Sequence, residues 1–338
     1  MQEAVSLRTA KESLSQQNDF ASATSQNRND WIVFAVIVSI LWSVPLSLGG
    51  FYLYLGLAVA IYAISALGLQ TMVGLAGQLS LGHAAFMGIG AYTSVLLQKT
   101  LGLPFLVTLA AAGLTAAAAG LLMAQLIRLS GVYFKIATFG FGIVVHQILS
   151  NWTALTGGSA GVRGIPVISM IGFQVETRTG LFVCEALTLT LIYGLLVRLS
   201  HGKIGRAFRA IGQNEAAARS VGIPVARYRM IVITLGCAIA GIAGAYLPHL
   251  MRFLSPESFT WYESLTCLIM ITVGGLGSLP GAIIGAAVLI VAPEYLRDFA
   301  QYKMLAFGVL LVASMILLPK GIAGAGAALS RSKRIHAR

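Results

Sequence analysis

Residues 31–98 read WIVFAVIVSILWSVPLSLGGFYLYLGLAVAIYAISALGLQTMVGLAGQLSLGHAAFMGIGAYTSVLLQ, sixty-eight positions without one Asp, Glu, Lys or Arg. Soluble domains carry a charge at about every fourth residue, so a run of this length belongs in lipid. A helix rises about 1.5 Å per residue and needs about 20 apolar residues to cross ~30 Å of hydrocarbon. The window therefore holds more than one crossing. Amides in lipid must be bonded within their own segment, so the crossings are helices. Irregular backbone survives there only where protein or a cavity encloses it.

Outward from this window the pattern repeats. Thr100–Ile127, Ile136–Val162, Met230–Met251, Ser264–Pro293 and Met304–Pro319 are also free of charged residues. Across 338 residues, 57% are hydrophobic and 10% charged, with a mean hydropathy of +0.83. A soluble globular enzyme could not keep so uncharged a surface in solution. The alternation of membrane barrel strands is absent. The expected fold is an all-α integral membrane protein, a polytopic bundle of about 8–10 transmembrane helices, some short or broken.

Cutting at Gly, Pro and charged residues places segments near 31–48, 50–73, 83–98, 104–127, 132–150, 180–198, 230–250, 263–274, 281–293 and 304–319. The eighth and ninth are too short to span alone. They flank Gly274-Gly275-Leu276-Gly277-Ser278-Leu279-Pro280-Gly281 and read as a steep helical pair or one broken helix.

Net charge is +12, from 23 Lys and Arg against 11 acids. With both termini cytoplasmic, seventeen basic residues fall on the inner side and six on the outer (Lys99, Arg163, Arg178, Arg252, Arg297, Lys303). The positive-inside rule selects that orientation and accounts for the charge, so no nucleic-acid partner is called for. Residues 1–30 read as a disordered cytoplasmic tail without signal-peptide grammar, 31–320 as the transmembrane domain, and 321–338 as a basic cytoplasmic tail. Cys184, Cys237 and Cys267 lie in apolar stretches without metal or disulfide spacing.

Between the sixth and seventh segments, residues 199–229 read LSHGKIGRAFRAIGQNEAAARSVGIPVARYR. Connections of this length are uncommon, and this one has internal helix grammar. Asn214 is a natural N-cap and Glu215 favours the helix dipole. Arg219 pairs with Glu215 at i+4, Gly222 is a left-handed terminator, and Pro224 prevents resumption. These predict a short cytoplasmic helix, Glu215–Val221. A basic loop serving topology and lipid headgroups is one reading. The favoured reading is a docking helix, because Ala216, Ala217, Ala218 and Gly222 permit close approach and Ile211, Val221 and Ile223 offer apolar contact.

The run RAIGQNEAAARSVGI at 209–223 resembles the loop by which ABC-importer permeases insert a coupling helix into an ATPase, though four residues rather than the generic number separate Ala217 from Gly222. Its form is similar to the LivM-like branch of the branched-chain amino-acid permease family. GLAGQLSLGHAAFMGIGAY (74–92), LTGGSAGVRGIP (155–166) and VGGLGSLPGAIIGA (273–286) agree with that branch in order, so the likeness runs from about residue 60 to 321. The resemblance implies an inner-membrane importer subunit. Its partners would be a second homologous permease, two cytoplasmic ATPases that use ATP, and an external solute-binding protein. It implies that Ile211, Gly212, Asn214, Glu215, Ala216, Ala217, Arg219 and Gly222 form the ATPase-coupling segment. Relatives of this kind carry branched-chain amino acids, urea, short amides or aromatic acids, and no residue here chooses among them.

No GxxxxGK[ST] occurs, so the chain cannot cradle ATP phosphates by that loop. No bound cofactor, metal or catalytic residue is expected. Gln78, Ser80 and His83 lie among glycines inside the first uncharged window. They mark either a tight helix-packing seam or a broken segment lining the translocation path. Gly275, Gly277 and Ser278 supply a second interruption, and paired interruptions point to a transport site. His146 is expected neutral and hydrogen-bonded. Glu185, about a turn inside the outer boundary, is expected to reach interfacial water. An ion-coupled secondary transporter or channel is the alternative class, disfavoured by the scarcity of membrane carboxylates. Gly157-Gly158-Ser159-Ala160-Gly161 matches the nucleophile-elbow string but falls in an external loop rather than a strand–turn–helix setting.

Overall fold

Close glycine contacts draw the helices together around one central crossing. The computed structural model describes residues 49–125, 132–170, 173–175 and 177–295, with isolated positions at 35, 36, 39, 321 and 322. Apart from those isolated positions, the segments expected at 31–48 and 304–319 and the two tails lie outside the described residues. Among the described residues, the α-helices longer than four residues are α1 (Gly50–Gln70), α2 (His83–Leu101), α3 (Phe105–Ala124), α4 (Val132–Asn151), α5 (Arg178–His201), α6 (Lys203–Gln213), α7 (Glu215–Ser220), α8 (Val225–Met251), α9 (Trp261–Gly274) and α10 (Leu279–Tyr295). A π-turn, Thr71–Leu75, prolongs α1.

Five of these are long and apolar enough to cross a membrane: α1 with its π-turn, α3, α4, α5 and α8. The pair α9 and α10 meets the same test jointly but bends by 119°. At 14 and 17 residues each falls short of ~30 Å at about 1.5 Å per residue. The chain therefore doubles back at the Gly275–Ser278 break as two separate helices.

Helix α8 occupies the centre, packed against α1, α2 and α3. A methyl group on Gly90 of α2 would overlap the backbone of Gly241, so the two helices touch main chain to main chain. In lipid, where apolar burial does not favour one helix over the tails, such small-residue seams supply the packing energy. The outward faces of α3 and α5 stay apolar, with Leu114, Leu122 and Leu191 mostly exposed. That is the composition a lipid-facing surface needs.

At one end two small ribbons close the loops, Val162–Arg163 against Phe253–Leu254 and Ile168–Met170 against Phe173–Val175, both antiparallel. Lys99 Nζ reaches the carbonyl of Arg163 at 3.2 Å there. At the opposite end lie α6, α7 and the start of α8.

Glu185 departs from its expected place. It is fully buried, and neither carboxylate oxygen has a hydrogen-bond partner among the described residues. Its position along α5 sets its depth, but the face it occupies turns it into the protein, away from interfacial water. His146 Nε2 lies 3.8 Å from the Glu257 carboxylate, beyond hydrogen-bonding range. Ser159 sits exposed on a single 3-10 turn, Gly158–Ala160, not on a strand-to-helix elbow.

Candidate functional site: two helix breaks beneath a helical loop

The first break follows α1. After Leu75 the chain leaves helical geometry and runs irregularly to His83, where α2 begins. His83 Nε2 lies 3.0 Å from the carbonyl oxygen of Ser65. Ser65 precedes Leu75 by ten residues, about 15 Å of helix. Residues 76–82 therefore climb back about that far beside α1, within the reach of seven extended residues, ~23 Å. Gln78, Ser80 and His83 thus belong to a broken segment that re-enters the bundle, rather than to a seam between two continuous helices.

The break is enclosed by partners distant in sequence. The amide of Leu81 donates to Thr138 Oγ1 of α4 at 3.0 Å, and that of Ala84 to Ser264 Oγ of α9 at 2.9 Å. Such side-chain acceptors replace the helical bonds that the break forfeits, the condition for irregular backbone at membrane depth. Gln78 is half-buried, its amide donating to Ala76 O at 3.2 Å. Ser80 and His83 are fully buried. Ser80 Oγ and His83 Nδ1 have no hydrogen-bond partner among the described residues. Leaving polar atoms unmatched in a low-dielectric interior costs about 1–3 kcal/mol each.

The second break lies against the first. Gln70, fully buried on α1, donates from Nε2 to Gly275 O at 2.9 Å and to Ser278 O at 3.0 Å. One side chain therefore holds both rims of the gap between α9 and α10. A methyl group on Gly74 would lie 2.6 Å from the amide nitrogen of Gly277, so the two breaks meet backbone to backbone. Gly275 is buried, Ser278 partly so, and Gly277 exposed. Sequence reading missed Gln70. Its one local signal is a lone amide in an otherwise apolar helix.

The loop between α5 and α8 is helical for most of its length. Helix α6, where the sequence predicts only loop, turns Gly205, Phe208 and Ile211 inward; Phe208 rests edge-on to Tyr228 of α8. Asn214 caps α7, its Oδ1 accepting from the Ala217 amide at 3.1 Å. Helix α7 ends at Ser220, one residue earlier than expected, and Gly222 adopts φ +82°. Pro224 stands at the head of α8, so a new helix starts there on a different axis. Ala216, Ala217, Arg219, Val221 and Gly222 are exposed. Ile211 is not. It is 4% exposed, packed with Ala218 and Val225, so it holds the loop together and does not present apolar surface to a partner.

Loop and first break are joined directly. A methyl group on Gly212 at the end of α6 would lie 2.9 Å from Leu75 O, and one on Gly77 3.3 Å from Gly212 Cα. Gly77 also has φ +67°, a conformation that glycine adopts without strain. Two glycines are what allow α6 to rest on the mouth of the break.

A family model described as branched-chain amino acid transport system, permease component, matches residues 51–318. The high-affinity branched-chain amino acid transport system permease protein LivM of Salmonella typhimurium is 36% identical over 316 residues, covering 86% of this chain and 74% of that protein. LivM of Escherichia coli shows the same figures. The permease protein LivH of Salmonella typhimurium is 26% identical over 286 residues, covering 78% of this chain and 91% of its own. No solved structure matches the chain.

Proposed function

From the premise that this chain belongs to the branched-chain amino acid permease family, we propose that it is one of two homologous permease subunits of an ABC importer. It is a transport subunit, not an enzyme. Its solute is a branched-chain amino acid, as the names of its relatives say of theirs. Its similarity to both LivM and LivH, two permease proteins named for the same kind of system in one organism, supports pairing with a second permease. An external binding protein delivers the solute, and two cytoplasmic ATPases supply the energy. The membrane is the bacterial inner membrane, with both termini on the cytoplasmic side.

The observation that carries this reading is the stack of α7 on α6 and of α6 on the first break. Ala216, Ala217 and Val221 offer an exposed, small-residue and apolar face on α7. Beneath it the Gly212–Gly77 contact leads to Gln78, Ser80 and His83, and the first break meets the second where Gly74 approaches Gly277. ATP acts only through its different affinity for two arrangements of the assembly. The ATPases grip α7 differently in the two states, and α6 carries the displacement to both breaks. The unmatched Ser80 Oγ and His83 Nδ1 are then groups able to meet water or solute when the path opens.

Ala217→Arg tests the grip, since it places a long cation on the exposed face of α7 without touching the core. The chain should still insert, and ATPase recovered with it should fall at least about tenfold, as when a charge is buried without a partner at an interface. Undiminished recovery would show that α7 is not the docking helix.

A further inference from the structure

Helix α7 carries an acid that is only partly exposed. The two carboxylate oxygens of Glu215 are both occupied within the chain, Oε1 by Arg219 Nη2 and Oε2 by Arg229 Nη2. The two arginines differ sharply. Arg219 is 66% exposed, whereas the Arg229 side chain is 10% exposed and projects from the second turn of α8. Pairs between exposed side chains swing freely and hold little. An enclosed arginine cannot regain water unless α7 parts from α8, and removing its partner strands a charge. Beside the pair, Ile211, Ala218 and Val225 form a separate apolar cluster spanning α6, α7 and α8. The covalent link between α7 and α8 is only the turn at 221–224, opened by Gly222 at φ +82°.

We propose that Glu215 and Arg229 form a tether that makes α7 move as one body with α8, the helix packed against α1, α2 and α3. Arg229 is thus a positioning residue: it touches neither solute nor ATPase, and it delivers the pull on α7 to the centre of the bundle. This rests on the reading of α7 as the ATPase docking helix. The chain has two routes inward from α7, the Gly212 contact to the first break and the Arg229 tether to the central helix. The tether sets how much of each ATPase stroke becomes movement of the spans.

The test uses the full importer in proteoliposomes, with the ATPases, second permease and binding protein, and reads solute moved per ATP hydrolysed. In Arg229→Gln and in Glu215→Gln the ATPases should stay bound and hydrolysis continue, while the ratio falls roughly tenfold, mid-range for a coupling between sites. Arg219→Gln, which leaves the Glu215–Arg229 pair in place, supplies the reference ratio for the reversed pair. Glu215→Arg with Arg229→Glu, made in the Arg219→Gln background to remove the like charge, should recover most of it. An unchanged ratio in Arg229→Gln overturns the tether, as does failure of the reversed pair to recover anything. If Arg229→Gln does not insert, Glu215→Gln decides on the same ratio. Loss of bound ATPase in Glu215→Gln would mean that the carboxylate meets the partner, overturning the tether but sparing the docking reading. A wild-type chain that captures no ATPase overturns both.

Discussion

Replacing Gln70 by Leu removes a side chain that spans the second break. Gln70 Nε2 makes two hydrogen bonds, to Gly275 O and Ser278 O. A buried hydrogen bond contributes about 0.5–1.5 kcal/mol net, and polar contacts between membrane helices average ~0.6 kcal/mol. Two such bonds give about 1–2 kcal/mol. Leucine is close in size, and the substitution also removes Gln70 Oε1, which is buried without a partner, so the lower half of that range is expected. That lower half, about 1–1.5 kcal/mol, shifts an equilibrium by about 5–13-fold. Hydrogen exchange at the amides of 275–282, read by mass spectrometry on the protein in nanodiscs, should accelerate by roughly that factor, with α3 unaffected. Gln70→Glu should be worse, because its carboxylate would face two carbonyl oxygens. Unchanged exchange at 275–282 in both variants would refute the idea that this amide holds the break.

Gly90→Val should lower stability by about 3 kcal/mol or more, the upper end of overpacking costs, since the added atoms meet the Gly241 main chain; thermal unfolding in detergent measures this. Asn214→Ala should weaken ATPase capture by unravelling α7, with a capping loss of about 1 kcal/mol, and Asn214→Ser should retain most of it; pull-down titration tells them apart. Gly212→Leu should leave ATPase bound but slow uptake, because the side chain pushes α6 off residues 75–77; equal uptake rates would dispose of that contact as a transmission point.

The spans were legible because the property that makes a membrane helix, absence of charge over a long window, is local. Expected and observed limits agree closely for Phe105–Ala124 and Val132–Asn151. Helix α7 was legible for the same reason: Asn214, Glu215, Arg219 and Gly222 act within one or two turns. Helix α6 was concealed by Lys203, Arg206 and Arg209, which read as loop, although the spacing of Gly205, Phe208 and Ile211 marks an inward face. What the sequence withheld are pairings between distant positions. Gln70 and Gly275 lie 205 residues apart, and Ala84 and Ser264 lie 180 apart. Glu215 shows the same limit at short range, since its i+4 partner was evident and Arg229, across the turn, was not. Glu185 was misjudged because span position gives depth and not facing.

The central question is whether ATP, acting through α7, moves solute through this chain. The direct measurement is uptake of a radiolabelled branched-chain amino acid into proteoliposomes holding both permeases and the ATPases, with the binding protein on the opposite face. Uptake should require ATP on the α7 side and vanish in Ala217→Arg. Uptake that persists in Ala217→Arg, or that this chain alone performs on an ion gradient without ATP, would contradict it.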